Sequence, residues 1–474
     1  MLRRFLTVAI AAALPVVAHA QTVTHLKNQP PSGAQLTFQL TDGTVLAQSF
    51  SDSNWYILTP DNTGSYVNGT WKKVASLPSG YSPDAFASQV LADGRVLIEG
   101  GEYSNGGNFT LTNQGAIYDP VANTWTMVNP PAKWQNIGDS PSTVLPNGKF
   151  LLGDKLNEKY AELTPSTMTW KVLTVTGKAD FNAEEGWTLL PDGTIETVDV
   201  KDNPNTEDFN PSTKTWSTLG TTPVNLQGPP CCGCINYPPK NKCYFPPGET
   251  GPAILRPDGT VFATGALHSG QSTGHTAVYT PGSGWAKGPD FPNGDDAGDN
   301  FASLLPNGHV LVQATSGSLY EFDGTNLTNT HIGGVGSTMV LPTGQVLLGG
   351  SEVYASTGSY QTAWQPTITS VPTTLTRGTT YKISGTQFNG LSQANAFGDE
   401  YQTSTNYPLV QITNNGTHHV FYARTHDHST MGVATGSKTV STNFDVPSGM
   451  ETGASSLVVI ANGIPSAATS VTVQ

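Results

Sequence analysis

One short pattern returns along most of the chain: an apolar stretch, a polar residue followed by glycine, and a second apolar stretch. Seven copies are visible, and the residue before each glycine is Asp42, Asp93, Asn147, Asp192, Asp258, Asn307 or Thr343. An Asp-Gly or Asn-Gly pair between apolar runs is typical of a tight β-hairpin, because these residues accept positive φ. The mean step is about 50 residues, which predicts one repeated β unit over most of the chain.

A second landmark follows several of these hairpins: a proline and, five residues later, a tryptophan. Regular copies run from Pro120 to Trp125, Pro165 to Trp170 and Pro211 to Trp216. We predict that the proline lies in a turn and that the tryptophan lies on the outermost strand of each unit, packed against the next unit. After Gln21 the chain has no long run of strong helix formers, so the predicted fold class is all-β.

These units resemble kelch repeats, and their number implies a seven-bladed kelch β-propeller over residues 21–365. The Gly-Gly pair of the family is present at Gly100-Gly101 and at Gly349-Gly350. We expect a strand from the N-terminal segment to complete the last blade of the propeller.

The sequence pattern changes after residue 365, where the Asp-Gly hairpin turns no longer occur. Candidate strands then follow at intervals of about ten residues, a spacing typical of a β-sandwich. They are Tyr381–Ser384, Leu409–Thr413, His419–Ala423, Ser441–Val446 and Leu457–Ala461. We predict an Ig-like (E-set) sandwich over residues 366–474. The ending 458–466 resembles the last domain of galactose oxidase, in which such a module also follows a seven-bladed kelch propeller.

The first twenty residues have the features of a signal peptide: Arg3 and Arg4, an apolar run over 5–18, and the cleavage pattern Ala18-His19-Ala20. They predict a secreted, extracellular protein, or a periplasmic one if the source is bacterial. No later segment is apolar enough for a membrane span. The formal net charge is −13, and it becomes −15 without the two arginines, so nucleic acid is excluded as a probable partner class.

Carboxylates recur seven to nine residues before five of the hairpin turns, where the innermost strand of each unit begins. They are Asp84, Asp139, Glu184 with Glu185, Glu249 and Asp299. Rotational symmetry would bring them together at one mouth of the central channel. Such a ring suits a hard cation such as calcium, or the hydroxyl groups of a carbohydrate. The alternative is that these residues only cap turns.

The resemblance to galactose oxidase implies a copper site built from a tyrosine cross-linked to a cysteine, a Tyr-His pair and a histidine of the C-terminal domain. This chain has no Tyr-His pair, and we therefore expect copper-radical chemistry to be missing. His426 or His428 matches the C-terminal histidine. A His-x-His pair on a strand places both rings on one face and suits a transition metal, although an interface histidine pair is the commoner explanation.

The four cysteines, Cys231, Cys232, Cys234 and Cys243, all fall in one proline-rich insertion just before Glu249. Disulfides are favoured over a metal site in an oxidising compartment, with the pairing left open. The insertion also carries Tyr237, Tyr244 and Phe245, which either stack on a sugar or pack the insertion onto the propeller.

The sequence thus favours a secreted propeller that binds an extracellular carbohydrate, small molecule or divalent cation at an acidic mouth. One alternative is an enzyme, either a divergent oxidoreductase of the galactose oxidase or glyoxal oxidase type or a carboxylate-dependent hydrolase or lyase. A third is a scaffold that binds another surface protein.

Overall fold

The computed structural model describes residues 21–50, 53–230, 233–237, 242–334 and 336–474. These residues form an all-β chain of short strands, with two single-turn 3-10 helices at Pro292–Gly294 and Thr362–Trp364. The predicted signal peptide, residues 1–20, lies outside the described part. Within that part, no helix is long and apolar enough to cross a membrane.

Seven small antiparallel sheets, sheets 1 to 7 in chain order, each carry four strands in up-and-down order along the described chain. Sheet 1 comprises Leu36–Gln39, Val45–Gln48, Trp55–Thr59 and Thr70–Lys73; sheet 2 comprises Ala87–Val90, Val96–Glu99, Gly115–Asp119 and Thr124–Val128. Sheet 3 comprises Ser142–Val144, Phe150–Asp154, Asn157–Thr164 and Thr169–Leu173; sheet 4 comprises Thr188–Leu189, Ile195–Val198, Asn205–Asn210 and Thr215–Thr221. Sheet 5 comprises Thr250–Leu255, Val261–Gly265, Thr276–Thr280 and Gly284–Lys287. Sheet 6 comprises Ala302–Leu304, Val310–Gln313, Ser318–Phe322 and Leu327–Gly333; sheet 7 comprises Thr338–Val340, Val346–Leu348, Glu352–Ala355 and Thr22–His25.

Each predicted Asp-Gly or Asn-Gly turn joins the first and second strands of a sheet. Gly43 and Gly94 have φ values of 80° and 85°, a conformation that glycine adopts without steric cost. The carboxylate of Asp42 closes its turn by accepting a hydrogen bond from the Thr44 backbone N–H at 3.0 Å. Because the turn lies at one end of the first strand, the residues preceding that strand lie at the opposite end.

The tryptophans pack one sheet on the next. The Trp170 indole N–H of sheet 3 donates to the Asn129 carbonyl, just after sheet 2, at 2.7 Å. The Trp285 indole N–H of sheet 5 donates to the Thr206 hydroxyl of sheet 4 at 2.8 Å. Both rings are half-buried and pack against the apolar cores shared by neighbouring sheets.

The N-terminal strand completes the last sheet. Thr22–His25 pairs antiparallel with Glu352–Ala355 as the outermost strand of sheet 7, in agreement with the closure expected from the sequence. The first strands of sheets 1 and 7 also meet, since the hydroxyl groups of Thr37 and Ser337 lie 3.0 Å apart. The many small sheets, their closure and the separate C-terminal sheet are consistent with a β-propeller followed by a sandwich.

The C-terminal region forms one further sheet. Its strands follow the order Thr367–Ser370, Thr380–Thr386, Val440–Asp445, Val420–His426, Leu409–Asn414, Gly453–Ala461, Thr469–Val473 and Thr374–Leu375, and Ile464–Pro465 pairs with Gly453–Ala461. This sheet contacts the hairpin end of the seven sheets. The Thr425 N–H donates to the Thr41 carbonyl at 3.0 Å, and the Met431 N–H donates to the Pro146 carbonyl at 3.1 Å.

Residues 389–407, here called the plug, leave the C-terminal sheet and run among the first strands of the other sheets. The plug contacts the first strand of all seven sheets. Its short strand Asn395–Ala396 pairs with Ala302–Leu304 and adds a fifth strand to sheet 6. The plug therefore fills the space between the sheets and ends near the starts of their first strands.

A small sheet and a hairpin lie near the end of the sheets where the first strands begin. Pro83–Asp84, Tyr103–Ser104 and Asn108–Phe109 form a small three-stranded sheet. Ile235–Tyr237 and Lys242–Tyr244 form a hairpin closed by the disulfide between Cys234 and Cys243.

Candidate functional site

A residue with positive φ lies just before the first strand of each of the seven sheets. These residues are Gly33, Ala85, Gly138, Glu184, Gly248, Asp299 and Gly336. Glu184 and Asp299 hold φ values of 60° and 49° without being glycine, a conformation that costs energy and persists where the surrounding structure imposes it. The repeated turn explains why the predicted carboxylates fall at equivalent places, since each lies at or next to it.

A buried ammonium group lies among these carboxylates. The Lys155 side chain is wholly buried, and its Nζ contacts the carboxylate of Asp139 and, at 2.7 Å, Oε1 of Glu184. The Tyr244 hydroxyl donates to the same Glu184 oxygen at 2.6 Å. Lys155 therefore neutralises part of the charge of two carboxylates that burial alone would protonate.

The plug brings two further carboxyl groups, Asp399 and Glu400, to this place. Oxygen atoms of Asp139, Asp399 and Glu400 all lie within 4.8 Å of one another, and all three side chains are buried. Asp399 is 1 % exposed, and neither of its carboxylate oxygens accepts a hydrogen bond from an amide, hydroxyl or ammonium group; its hydrogen-bonding neighbour is the carboxyl group of Glu400. Oδ1 of Asp139 also has none. Carboxylates that crowd together without donors need either a proton or a cation between them.

Three more carboxyl groups lie in an outer layer around this centre: Glu102, Glu249 and Asp299. Glu102 and Glu249 are half-buried, and solvent reaches the Asp299 side chain. We call the seven carboxyl groups together with Lys155 the acid cluster; its carboxyls are Glu102, Asp139, Glu184, Glu249, Asp299, Asp399 and Glu400. One ammonium group cannot balance seven ionised carboxylates, so the other carboxyl groups must hold protons or share a cation.

The electrostatics of the cluster follow from burial and like charge. Burial, with a smaller contribution from Glu184 and Asp139, raises the pKa of Asp399 to about 8. Burial and the charges of Glu184, Asp299 and Asp399 raise the pKa of Glu249 to about 12. Carboxyl groups with such pKa values hold protons at neutral pH unless a cation replaces those protons.

Glu184 behaves in the opposite way. Burial would raise its pKa, but the charge of Lys155 and the hydrogen bonds from Lys155 and Tyr244 outweigh burial and lower the pKa below its usual value. Glu184 and Lys155 therefore form a charged pair at neutral pH.

Of the residues predicted at the mouth, Asp139, Glu184, Glu249 and Asp299 lie in the acid cluster. Asp84 lies beside it: its carboxylate accepts hydrogen bonds from the Tyr401 hydroxyl and the Gln35 side chain, and so fastens the plug.

Glu185 lies outside the acid cluster. Its carboxylate binds Lys178 at 3.0 Å, in a separate cage that Lys178 also shares with Asp180, Asp199 and Glu207. The adjacent side chains of Glu184 and Glu185 thus pair with different lysines.

His426 and His428 also lie outside the acid cluster, because the plug is the part of the C-terminal region that runs between the sheets. The His426 ring contacts Asp427 and Asp445 at 2.7 and 3.1 Å. Nδ1 of His428 contacts the Thr442 hydroxyl at 2.9 Å, and its backbone N–H donates to the Ala92 carbonyl at the hairpin end. Neither belongs to a group of three metal-ligating side chains in the described residues.

The insertion before Glu249 contains the disulfide Cys234–Cys243, which confirms that its cysteines form a disulfide. Cys231 and Cys232 lie outside the described residues. Tyr244 is buried against Leu111 and Ala183, whereas Phe245 is 62 % exposed. The side chain of Tyr237 lies outside the described part.

Sequence reasoning missed Lys155, Glu102, Asp399 and Glu400. For the first two a signal existed, because Glu102 and Lys155 follow the second strands of sheets 2 and 3, and a second strand ends where the first begins. For the plug no repeat pattern was available, since 389–407 occurs once and looks like an ordinary loop.

Comparisons with known proteins agree with this architecture. No family model matches the chain. A Kelch-like protein, terF, from Aspergillus terreus (strain NIH 2624 / FGSC A1156) is 26% identical over 128 residues, which is 27% of this chain and 26% of that protein. This chain thus matches only about a quarter of the relative's length.

Among solved structures, a fungal alcohol oxidase of the AA5 family in complex with copper has a TM-score of 0.50 and 12% identity, over 97% of this chain and 100% of that one. These likenesses support a kelch/galactose oxidase-like fold for this chain. At this level of identity the likeness shows the fold alone.

The donor set of the acid cluster does not fit the copper-radical group of that fold. The cluster offers carboxylates, one ammonium group and the Tyr244 hydroxyl, and none of its members is a histidine or a cysteine. Cys243, next to Tyr244, is bonded to Cys234 and is not available for a cross-link to tyrosine. Copper(II) prefers imidazole-rich sites, whereas carboxylate oxygens suit calcium, magnesium and manganese.

Proposed function

We propose that the protein binds a hard divalent cation, calcium in the first place, within the acid cluster. The single observation that carries this proposal is Asp399, which is buried beside Asp139 and Glu400 and has no amide, hydroxyl or ammonium donor on either oxygen. Calcium takes six to eight oxygen ligands at 2.3–2.6 Å, and the three inner carboxylates supply the first of them. A bound cation would stabilise their charged forms in place of protons.

We propose that the protein has no copper-radical oxidase activity, because the cluster lacks the donor set for it. We propose instead a secreted binding protein whose seven sheets are the blades of one ring and whose C-terminal sheet is an Ig-like sandwich. The predicted signal peptide and the Cys234–Cys243 disulfide support secretion.

A second candidate ligand is a carbohydrate. Solvent reaches Asp299, and the small three-stranded sheet beside the cluster carries Tyr103 and Phe109, an edge-to-face pair whose ring centroids lie 5.9 Å apart. Carboxylates that accept from hydroxyls beside an aromatic face are typical of sugar sites. A glycan array probed with and without calcium separates a sugar that binds through the cation from one that binds the carboxylates directly.

Calorimetric titration of the metal-free protein with calcium chloride tests the cation proposal. We expect saturable binding that Asp399→Asn weakens at least about tenfold, because one charged bidentate ligand is lost. The matched control is Glu158→Gln, which removes an exposed carboxylate from sheet 3 and should leave the affinity unchanged. Equal affinity in the Asp399→Asn variant and the parent protein would reject the proposed site.

A further inference from the structure

A second buried lysine, Lys178, has its ammonium group surrounded by carboxylates. Lys178 is 1 % exposed, and its Nζ lies 2.7–3.0 Å from carboxylate oxygens of Asp180, Glu185, Asp199 and Glu207. Every one of the four carboxylates that meet there contacts the ammonium group. The Lys178 cage is therefore complete without an added ion.

The cage around Lys155 is left incomplete in comparison. Its Nζ contacts only Asp139 and Glu184, although Asp399 and Glu400 lie beside Asp139. The second oxygen of Asp139 and both oxygens of Asp399 have no amide, hydroxyl or ammonium donor. Asp139 therefore stands between two cation positions: Lys155 occupies one, and the other is lined by Asp399 and Glu400.

We propose that Lys155 is a built-in cation that limits the acid cluster to one divalent ion per chain. On this view Lys155 determines the stoichiometry of the site, and a neutral side chain of similar length at position 155 opens a second ion position between Asp139 and Glu184. The inference rests on the proposed function, since it assumes that the first position takes a divalent cation.

The physical argument is the cost of buried charge. Removal of the ammonium group leaves the Asp139 and Glu184 carboxylates buried and without their main partner, which is strongly destabilising. A divalent ion can replace the ammonium group there because the Glu184 carboxylate is already oriented by the Tyr244 hydroxyl at 2.6 Å. The second ion should thus bind to the Lys155→Met protein and restore the stability that the substitution removes.

The test is equilibrium dialysis of the full-length mature protein against radioactive calcium, with thermal unfolding measured in parallel. The variants are Lys155→Met and, as the matched control that keeps the positive charge, Lys155→Arg. We expect one calcium ion per chain for the parent protein and for Lys155→Arg, and two for Lys155→Met. We also expect calcium to raise the melting temperature of Lys155→Met more than that of the parent protein.

The outcomes separate this inference from the proposed function. One ion in the parent and still one ion of unchanged affinity in Lys155→Met would overturn the role of Lys155 and leave the cation site standing. Two ions in the parent would also overturn it. No binding to the parent would reject the proposed function itself. If Lys155→Met is unfolded without calcium, refolding on calcium addition supports the inference, and failure to refold at saturating calcium contradicts it.

Discussion

The pKa values of individual carboxyl groups in this protein shift in opposite directions, depending on their partners. Glu184 is held ionised by Lys155 and Tyr244, whereas burial raises the pKa values of Asp139, Asp399 and Glu400 above their usual range. The sequence showed the carboxylates of the repeats but not these differences, because a partner such as Lys155 is brought in by tertiary structure. Burial also raises the pKa of one carboxyl group outside the cluster, that of Glu196.

Glu196 lies on the second strand of sheet 4 and is wholly buried. Burial raises its pKa from 4.5 to about 8, with smaller contributions from Asp199 and Asp208. The folded protein therefore holds a proton that the unfolded chain releases, so stability falls as pH rises from about 4.5 to 8, at up to about 1.4 kcal/mol per pH unit.

We predict that Glu196→Gln flattens this part of the stability profile and makes the variant more stable than the parent protein at pH 8. Denaturant unfolding at several pH values measures it, and Asp192→Asn, at an exposed hairpin turn, serves as the control. Parallel profiles for Glu196→Gln and the parent would show that Glu196 does not carry the raised pKa.

At the scale of elements, the plug joins the C-terminal sheet to the propeller sheets and supplies two groups of the acid cluster. Asn395 fixes it in place: its Oδ1 accepts from the Ser303 hydroxyl at 2.8 Å and the Val340 N–H at 3.1 Å, and its Nδ2 donates to the Thr403 carbonyl at 3.0 Å. All of these groups are buried, so no water replaces a lost partner without cost.

We predict that Asn395→Ala lowers the free energy of unfolding by about 3 kcal/mol, because it leaves buried polar groups unsatisfied. It should also weaken calcium binding, since Asp399 and Glu400 follow on the same segment. Gln387→Ala, at an exposed bond just before the plug, is the control. A stability loss without any change in calcium affinity would show that the plug does not position these carboxylates.

The repeated hairpins, the tryptophans on outer strands and the closing N-terminal strand could all be predicted, because each follows from local chemistry repeated along the chain. The plug could not, since its conformation depends on seven separate first strands. The match of His426 or His428 to the C-terminal histidine of galactose oxidase has the same origin, because the sequence does not show that the plug is the part of the C-terminal region that runs between the sheets. Glu185 lies outside the cluster because a buried partner, Lys178, holds its carboxylate elsewhere, and sequence spacing does not show which lysine each carboxylate meets.

At the scale of the whole molecule, ring closure depends on one short strand. Thr22–His25 pairs with Glu352–Ala355, and Leu26 after it is 3 % exposed. We predict that deletion of residues 21–26 lowers the melting temperature by at least about 5 °C, because sheet 7 loses its outer strand and a buried leucine. Thermal unfolding by circular dichroism measures this. An unchanged melting temperature would mean that this strand does not close the ring.

The central proposal is that a cation binds between the plug and the starts of the first strands. A crystal structure of the protein grown with calcium, with anomalous scattering data, tests it directly. We predict one anomalous peak with oxygen atoms of Asp139, Asp399 and Glu400 at 2.3–2.6 Å and with Lys155 still bonded to Glu184. Calcium found only elsewhere, with these three carboxyl groups hydrogen-bonded to one another, would contradict the proposed cation site.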